Sequence, residues 1–295
     1  MSRPARLGVG VVSAGRVGAV LGAALTRAGH TVVAASGVSR DSVQRAEDLL
    51  PGVPLLPPDE VARMADLVLL AVPDDAVAGM VLGLAATDSL RSGQIMVHTS
   101  GAHGIDVLRP AAERGVLPLA LHPVMTFSGR AEDLERMAAC CVGVTASDGD
   151  EAAWSVGEAL VVEMGAEPVR VPSSARPLYH TALAHGANHL VTLVAESTEL
   201  LRAAGVGVPE RMLGPLLSAA LDNALRHGDK ALTGPVSRGD AGTVRAHLAV
   251  LSDNAPGMVP AYRELARRTA RRAVDSGLLR PDLAPEVLSA IEEKP

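Results

Sequence analysis

The first half of the chain repeats one pattern, a short run of apolar and often β-branched residues followed by an Ala-rich stretch with helical periodicity. The runs are Leu7–Val12, His30–Ala35, Leu67–Val72, Gln94–Thr99, Pro118–Pro123 and Cys140–Ala146. Apolar residues follow one another within each run instead of alternating with polar ones, as strands covered by helices on both faces require. Strand and helix alternating in this order predict a doubly wound α/β domain on a parallel sheet. From about Arg176 the pattern changes to long helical periodicity, through 178–205, 213–228, 243–255 and 261–274, with no convincing strand. The strand-like Pro168–Val171 and the segment Pro172-Ser173-Ser174 sit at the change. The expected organisation is an α/β domain over 1–172 and an all-helical domain over 173–295.

Between the first run and the first helix lies Ser13-Ala14-Gly15-Arg16-Val17-Gly18, the GxGxxG pattern with serine in the first place. In a strand–turn–helix setting, Gly15 lets the backbone approach a pyrophosphate and Gly18 lets the helix pack on the sheet. The helix N-terminus supplies free N–H donors. This predicts a Rossmann domain, with the Ser13 hydroxyl as a further phosphate contact. The acidic residue that would take a ribose 2′-hydroxyl at the end of the second strand is replaced by Ala34-Ala35-Ser36. Ser39 and Arg40 follow, and a guanidinium beside a hydroxyl suits a 2′-phosphate, so NADP is the expected cofactor. Ser39 is equally suited to cap a helix, and Asp41 is the residue that could restore NAD. Val72 and Pro73 are expected to line the cofactor crevice, with Asp74 or Asp75 more suited to a helix cap than to a ligand contact.

Composition narrows the chemistry. The 295 residues, 48% of them hydrophobic, suffice for two cores. No stretch supplies the roughly 18 uncharged apolar residues that a bilayer span needs. Met1–Arg6 is basic but leads into the glycine turn with no cleavage-site pattern, which gives a cytoplasmic expectation. Cys140 and Cys141 are adjacent in a strand and point to opposite faces, so no disulfide is expected between them. A net charge of −6 argues against an extended nucleic-acid surface. The aromatic residues, Phe127, Trp154, Tyr179 and Tyr262, are too sparse for a base-stacking platform. Lysine occurs only at Lys230 and Lys294, which leaves arginine and histidine as the cations available to a site.

The order AGRVG (14–18), DLVLLAVPDDAV (66–77), HTSG (98–101) and HPVMTF (122–127), followed by an all-helical half, resembles the β-hydroxyacid and 6-phosphogluconate dehydrogenase-like superfamily over nearly the whole chain. More narrowly, LYHTALAHGANHL (178–190) and ALTGPVSRGDAGTVRAHL (231–248) resemble Rossmann-like proteins with a helical C-terminal domain of unknown function. The resemblance implies an NADP oxidoreductase, and similar proteins have been linked to ketopantoate reduction for pantothenate synthesis. It implies that Thr99, Ser100 and Gly101 face nicotinamide or substrate. It also relates His122-Pro123 to the His-Pro of prephenate dehydrogenases, a substrate-binding role, although a buried histidine held by backbone fits His122 as well.

Hydride addition to a carbonyl leaves charge on oxygen, so a proton donor and a cation for a substrate carboxylate are needed. Hydroxyacid dehydrogenases use a Lys and an Asn four residues later. If Asn188 is that Asn, the Lys position is Ala184. His180 is the nearest substitute, about 80° round the helix from Asn188 and two turns earlier. His185 and His189 have i, i+4 spacing but no evident third ligand, so no metal is expected. In Thr233-Gly234-Pro235-Val236-Ser237-Arg238-Gly239-Asp240, Gly234 and Pro235 fix a turn and Thr233 borders it. Arg238 can fork onto a carboxylate with Asp240 orienting it, a loop brace with Asp240 as cap being the alternative. The leading expectation is NADPH-dependent reduction of a small keto acid, 2-dehydropantoate-like. Reduction of a cyclic imine, as by pyrroline-5-carboxylate reductase, is the second, and a non-catalytic NADP-binding sensor or scaffold the third. The Ala- and Leu-rich helical domain is expected to form a homodimer.

Overall fold

The protein is described from a computed structural model that covers residues 6–293. The chain forms two compact units, Met1–Gly186 and Ala187–Pro295. The strands stop near residue 172, whereas the units divide later, inside a long helix.

The first unit is built on a seven-stranded sheet: β1 (Gly8–Val12), β2 (Thr31–Ala35), β3 (Leu67–Leu70), β4 (Ile95–His98), β5 (Leu117–Pro123), β6 (Cys141–Thr145) and β7 (Glu167–Arg170), in the order β2-β1-β3-β4-β5-β6-β7. Strands β1 to β5 are parallel, so their carboxyl ends share one edge. Strand β6 runs antiparallel to β5, and β7 is parallel to β6. The doubly wound sheet is thus parallel as expected, except at the β5–β6 pair. The β5–β6 connection carries only the five-residue helix Glu132–Arg136 and a short 3-10 turn. Such a helix rises about 7.5 Å, half the length of a five-residue strand, so the chain does not cross the sheet and returns antiparallel.

Successive residues of β1 to β4 pack into different cores, and β5 adds to the first of them. Val9, Val11, Leu67, Leu69, Leu119 and Leu121 join α1 (Arg16–Arg27), α2 (Arg40–Leu49) and a later helix, Glu151–Glu163. Val12, Val68, Leu70 and Met96 join α3 (Pro58–Met64), α4 (Asp74–Ala86) and α5 (Arg109–Ala112). With Glu132–Arg136 as α6 and Glu151–Glu163 as α7, both faces of the sheet are covered, which is why its strands read as unbroken apolar runs.

Helix α8 (Arg176–Ala203) starts in the first unit and continues into the second, where it is followed by α9 (Pro209–His227), α10 (Pro235–Arg238), α11 (Ala241–Asn254), α12 (Val259–Asp275) and α13 (Ala284–Glu292). The core here comes from α10 to α13. Ala266, Ala270 and Ala273 on α12 let it approach Val244, Leu248, Val287 and Ile291 closely. Helix α9 buries only Pro209 and Leu213. Among the described residues, no helix is long and apolar enough to cross a membrane.

Candidate dinucleotide and catalytic site

The turn after β1 is closed by Ser36, at the end of β2. Its hydroxyl accepts from the Ser13 N–H (2.9 Å) and its carbonyl from the Ala14 N–H (2.7 Å). This geometry holds Ser13 at φ 77°, the left-handed region that glycine occupies in the usual motif. Gly15 then caps α1 with no side-chain hydrogen bond, and the first turn carries no acidic residue. A Cβ on Gly18 would lie 2.1 Å from the Ser13 carbonyl oxygen and 2.9 Å from Ala71 Cβ. The helix therefore enters flush on the turn, with its N-terminal N–H groups uncapped. Arg16 is exposed and Val17 half-buried beside it. An uncapped, acid-free helix N-terminus pressed onto a turn this close fits a dinucleotide pyrophosphate.

The Ser39 hydroxyl is engaged in capping α2. It accepts from the Ser42 N–H (3.1 Å) and donates to Ser42 Oγ (3.1 Å). Arg40, in the first turn of α2, is exposed. Sequence reading missed Arg45, one turn further on. A Cβ on Gly129 would lie 2.8 Å from Arg45 Nε and 2.9 Å from Arg16 Cγ, so the Ser128-Gly129 turn rests on both arginines. That turn is held by buried Asp133, which accepts from the N–H groups of Ser128 and Gly129 (both 2.8 Å) and from Ser128 Oγ (3.1 Å). Burial alone would raise the Asp133 pKa. The hydrogen bonds outweigh it and hold the carboxyl below its usual range. Arg16, Arg40 and Arg45 thus supply positive charge around the α1 and α2 N-termini. Past β3, Val72 is half-buried and Pro73 stands at the N-cap of α4.

A second cluster forms at the carboxyl ends of β4 and β5, the edge that also carries the Ser13–Gly18 turn. Gly101 is pressed between two imidazoles: a Cβ there would lie 2.6 Å from His180 Cδ2 and 2.8 Å from His122 Nε2. The His122 and His180 rings meet edge to face, with centroids 6.0 Å apart. His122 Nδ1 is 2.9 Å from Tyr179 Oη. Burial, the Arg176 guanidinium and His180 together push the His122 pKa down to about 4, so the ring is neutral at pH 7. With the phenol donating to Nδ1, Nε2 carries the ring proton and faces the Gly101 side as a donor.

Arg176, at the start of α8, is fully buried. Its Nε donates to Thr145 Oγ1 (2.8 Å), and its Nη2 to the carbonyls of Ala120 (3.0 Å) and Gly143 (2.8 Å). Its Nη1 donates to the Ser100 carbonyl at 3.3 Å. The residues acting on its charge include no carboxylate, and desolvation brings its pKa down to about 10. Arg176 therefore ties β4, β5 and β6 to α8 and places a buried positive charge beside the histidines, opposed there in part by the Asp74 carboxylate. Neither Arg176 nor the Tyr179 contact was foreseen, since only the fold brings them to β5. His98 is buried as well, its Nε2 bonded to the Gly104 carbonyl (3.0 Å) and its Nδ1 without a partner among the described residues. Burial lowers its pKa to about 4.

The other expected residues fare differently. Thr99 is half-buried at the β4 end, its hydroxyl within 3.5 Å of the Leu70 carbonyl. Ser100 is buried, and its hydroxyl accepts from the N–H groups of Ala102 and His103, so it builds the loop. Asn188 is exposed in the second unit, eight residues beyond His180 along α8. Asp240 caps α11, accepting from the Thr243 N–H (3.0 Å) and hydroxyl (2.7 Å). Both its oxygens are committed there, which corrects the expectation that it orients Arg238 and leaves the cap alternative. Arg238 is exposed at the end of α10, Gly234 has a positive φ of 100°, and Thr233 borders a cavity in the helical unit. No group of three or more metal-ligating side chains occurs among the described residues.

Residues 1–123 match the Rossmann-like domain family, and residues 140–269 match the domain of unknown function DUF2520. The chain thus joins a Rossmann-like domain to a DUF2520 domain, the combination its motifs implied. A comparison with curated protein sequences finds no match. Among solved structures, the chain is similar to a candidate NADP oxidoreductase from Bacteroides fragilis, with 23% identity, TM-score 0.74, and 90% of this chain and 98% of that one covered. It is also similar to an imine reductase from Myxococcus stipitatus in complex with NADP+, with 18% identity, TM-score 0.63, and coverage of 97% and 100%. A pyrroline carboxylate reductase from Plasmodium falciparum with NADP bound matches at 9% identity and TM-score 0.56, with coverage of 97% and 98%. At these identities the likeness is one of fold.

Proposed function

We propose that the protein is an NADP-dependent oxidoreductase that reduces a C=O or C=N bond of a small molecule. The observation that carries this reading is the convergence of Gly101, His122 and His180 on the sheet edge that also bears the Ser13–Gly18 turn. When bound, NADPH supplies the hydride. This chain's residues supply the rest. The α1 N-terminus and Arg16 hold the pyrophosphate, and Arg40 and Arg45 hold the 2′-phosphate. Neutral His122 donates from Nε2 to the substrate oxygen or nitrogen and takes a proton at Nδ1 from the Tyr179 phenol, whose phenolate is stabilised by Arg176 until solvent reprotonates it, while His180 borders the same space. Buried Arg176 stabilises negative charge developing there.

A small keto acid, 2-dehydropantoate-like, remains the first candidate substrate. Cyclic imines are the second, because a C=N substrate can arrive protonated and needs less from a lysine that this chain lacks. NADPH consumption with 2-dehydropantoate and with 1-pyrroline compounds tests both. His122→Asn is expected to lower turnover about 100-fold while leaving NADPH affinity unchanged. Tight NADPH binding with no turnover on either substrate would instead favour a sensor or scaffold.

The reading includes a homodimer through the helical domain. Leu190, Val191, Leu216, Leu221 and Leu225, on α8 and α9, are 42%, 69%, 64%, 51% and 80% exposed. Large apolar side chains this numerous on consecutive helices suit burial against a second copy. Light scattering that gives a monomer mass at micromolar concentration would remove this part of the reading.

A further inference from the structure

The helical unit contains a cavity of about 370 Å³, a size typical of small-molecule sites. Leu200 on α8, Leu251 on α11, and Met258 and Leu265 at and along α12 make most of its wall apolar. Thr233 and Pro235, from the motif that stands out in the sequence of this half, border it too. Its polar lining is Glu196, His247, Tyr262 and the hydroxyls of Ser197, Thr233 and Thr269, with Glu196 as its carboxylate. Glu196 projects from α8 without an ion pair or hydrogen bond among the described residues, and no arginine or lysine lines the cavity. Further along the chain, Tyr262 is fixed through its hydroxyl by His247 Nδ1 at 2.9 Å, which leaves its ring as part of the wall.

We propose that this cavity binds an organic ammonium or iminium ion with an apolar body, its charge held by Glu196 and its body by the leucines, Met258 and the Tyr262 ring. An unpaired carboxylate beside an aromatic ring, in an otherwise apolar wall, attracts a cation by charge and by the ring's quadrupole. The same wall holds no arginine or lysine to pair with a carboxylate or phosphate, and His247 is engaged through Nδ1 with Tyr262, so an organic cation is favoured over an anion. The site lies wholly within the second unit, and its test needs neither cofactor nor turnover, so it stands or falls apart from the reduction proposed above.

Calorimetry on the full chain tests it with cyclohexylmethylamine as probe and cyclohexylmethanol as its uncharged counterpart. The amine is expected to bind at least about tenfold more tightly than the alcohol. Glu196→Gln should abolish that preference without lowering the thermal midpoint, since the carboxylate has no partner to lose. Ala261→Trp, placed at an exposed position of α12 that lines the cavity, should abolish binding of both. Equal affinity for amine and alcohol, no binding to the unaltered protein, or a preference that survives Glu196→Gln would each overturn the proposal. So would a change of oligomeric mass on Ala261→Trp, which would show a second copy occupying the cavity.

Discussion

The sheet of the first unit and the helix pair α8–α9 draw on the same Ala, Leu and Val but put them to opposite use. All four residues of β3, Leu67 to Leu70, are buried, because α1 and α7 cover one face of the sheet and α3 and α4 the other. On α9, Met212, Leu216 and Leu225 are all more than half exposed, and the helix buries little against its own chain. Apolar periodicity marks where a helix forms, but what covers it depends on partners that the period does not encode. A strand surrounded by its own helices is complete, whereas α8 and α9 await a second surface, which the proposed homodimer supplies.

The sharpest break between the two regions is expected from Gly18→Ala. Its Cβ would sit 2.1 Å from a backbone oxygen, which cannot yield as a flexible side chain would. NADPH affinity, read by fluorescence titration, should fall at least about 100-fold, or about 3 kcal/mol, while the oligomeric mass stays unchanged. The converse change, Leu216→Glu with Leu225→Glu, places two charges on the exposed face of α9. It should shift light scattering from dimer to monomer, with NADPH affinity unaltered. A mass unaffected by these charges would mean that the face is simply solvated.

A third expectation concerns pH and again falls on the first unit. The folded protein holds His98 neutral to about pH 4, whereas the unfolded chain takes up its proton near 6.5. The unfolded state thus binds more protons between these values, so stability is full above pH 6.5 and declines as pH falls towards 4. The loss amounts to about 3 kcal/mol at the lower limit. Urea midpoints measured from pH 7.5 to 4.5 should show this slope together with the like contribution of His122, and His98→Asn should reduce the total by about half. The smallest effect is expected from Ser13→Gly, which relieves a left-handed serine at φ 77°. A gain of up to about 1 kcal/mol, some 2–4 °C in the thermal midpoint, would show that the turn carries strain, and no gain would show that the extra unfolded-state freedom of glycine offsets the relief.

The site was legible where chemistry and local sequence coincide. Ser13–Gly18 follows a strand and opens a helix, so its role in the turn follows from the chain alone, and Gly101 stood out at a strand end. His122 and His180 were singled out separately, yet nothing in their separation of 58 residues indicates that their rings meet. Arg176 and Arg45 carried no local signal, because an arginine at a helix start or on a helix face is ordinarily solvated. Asp240 misled for the opposite reason: a carboxylate two residues after an arginine suggests a pair, but here it caps the helix that starts beside it.

By itself the sequence determined the seven strands, the change to an all-helical half and the glycine turn after β1, since each rests on periodicities and backbone preferences that act within a few residues. Only the tertiary structure decided the reversed direction of β6, the meeting of Gly101, His122, Tyr179 and His180, and the burial of Arg176 without a carboxylate. These depend on which strand ends lie side by side and on how far a connection can reach. Such distances are set by packing of the whole sheet, so no short window of residues contains them.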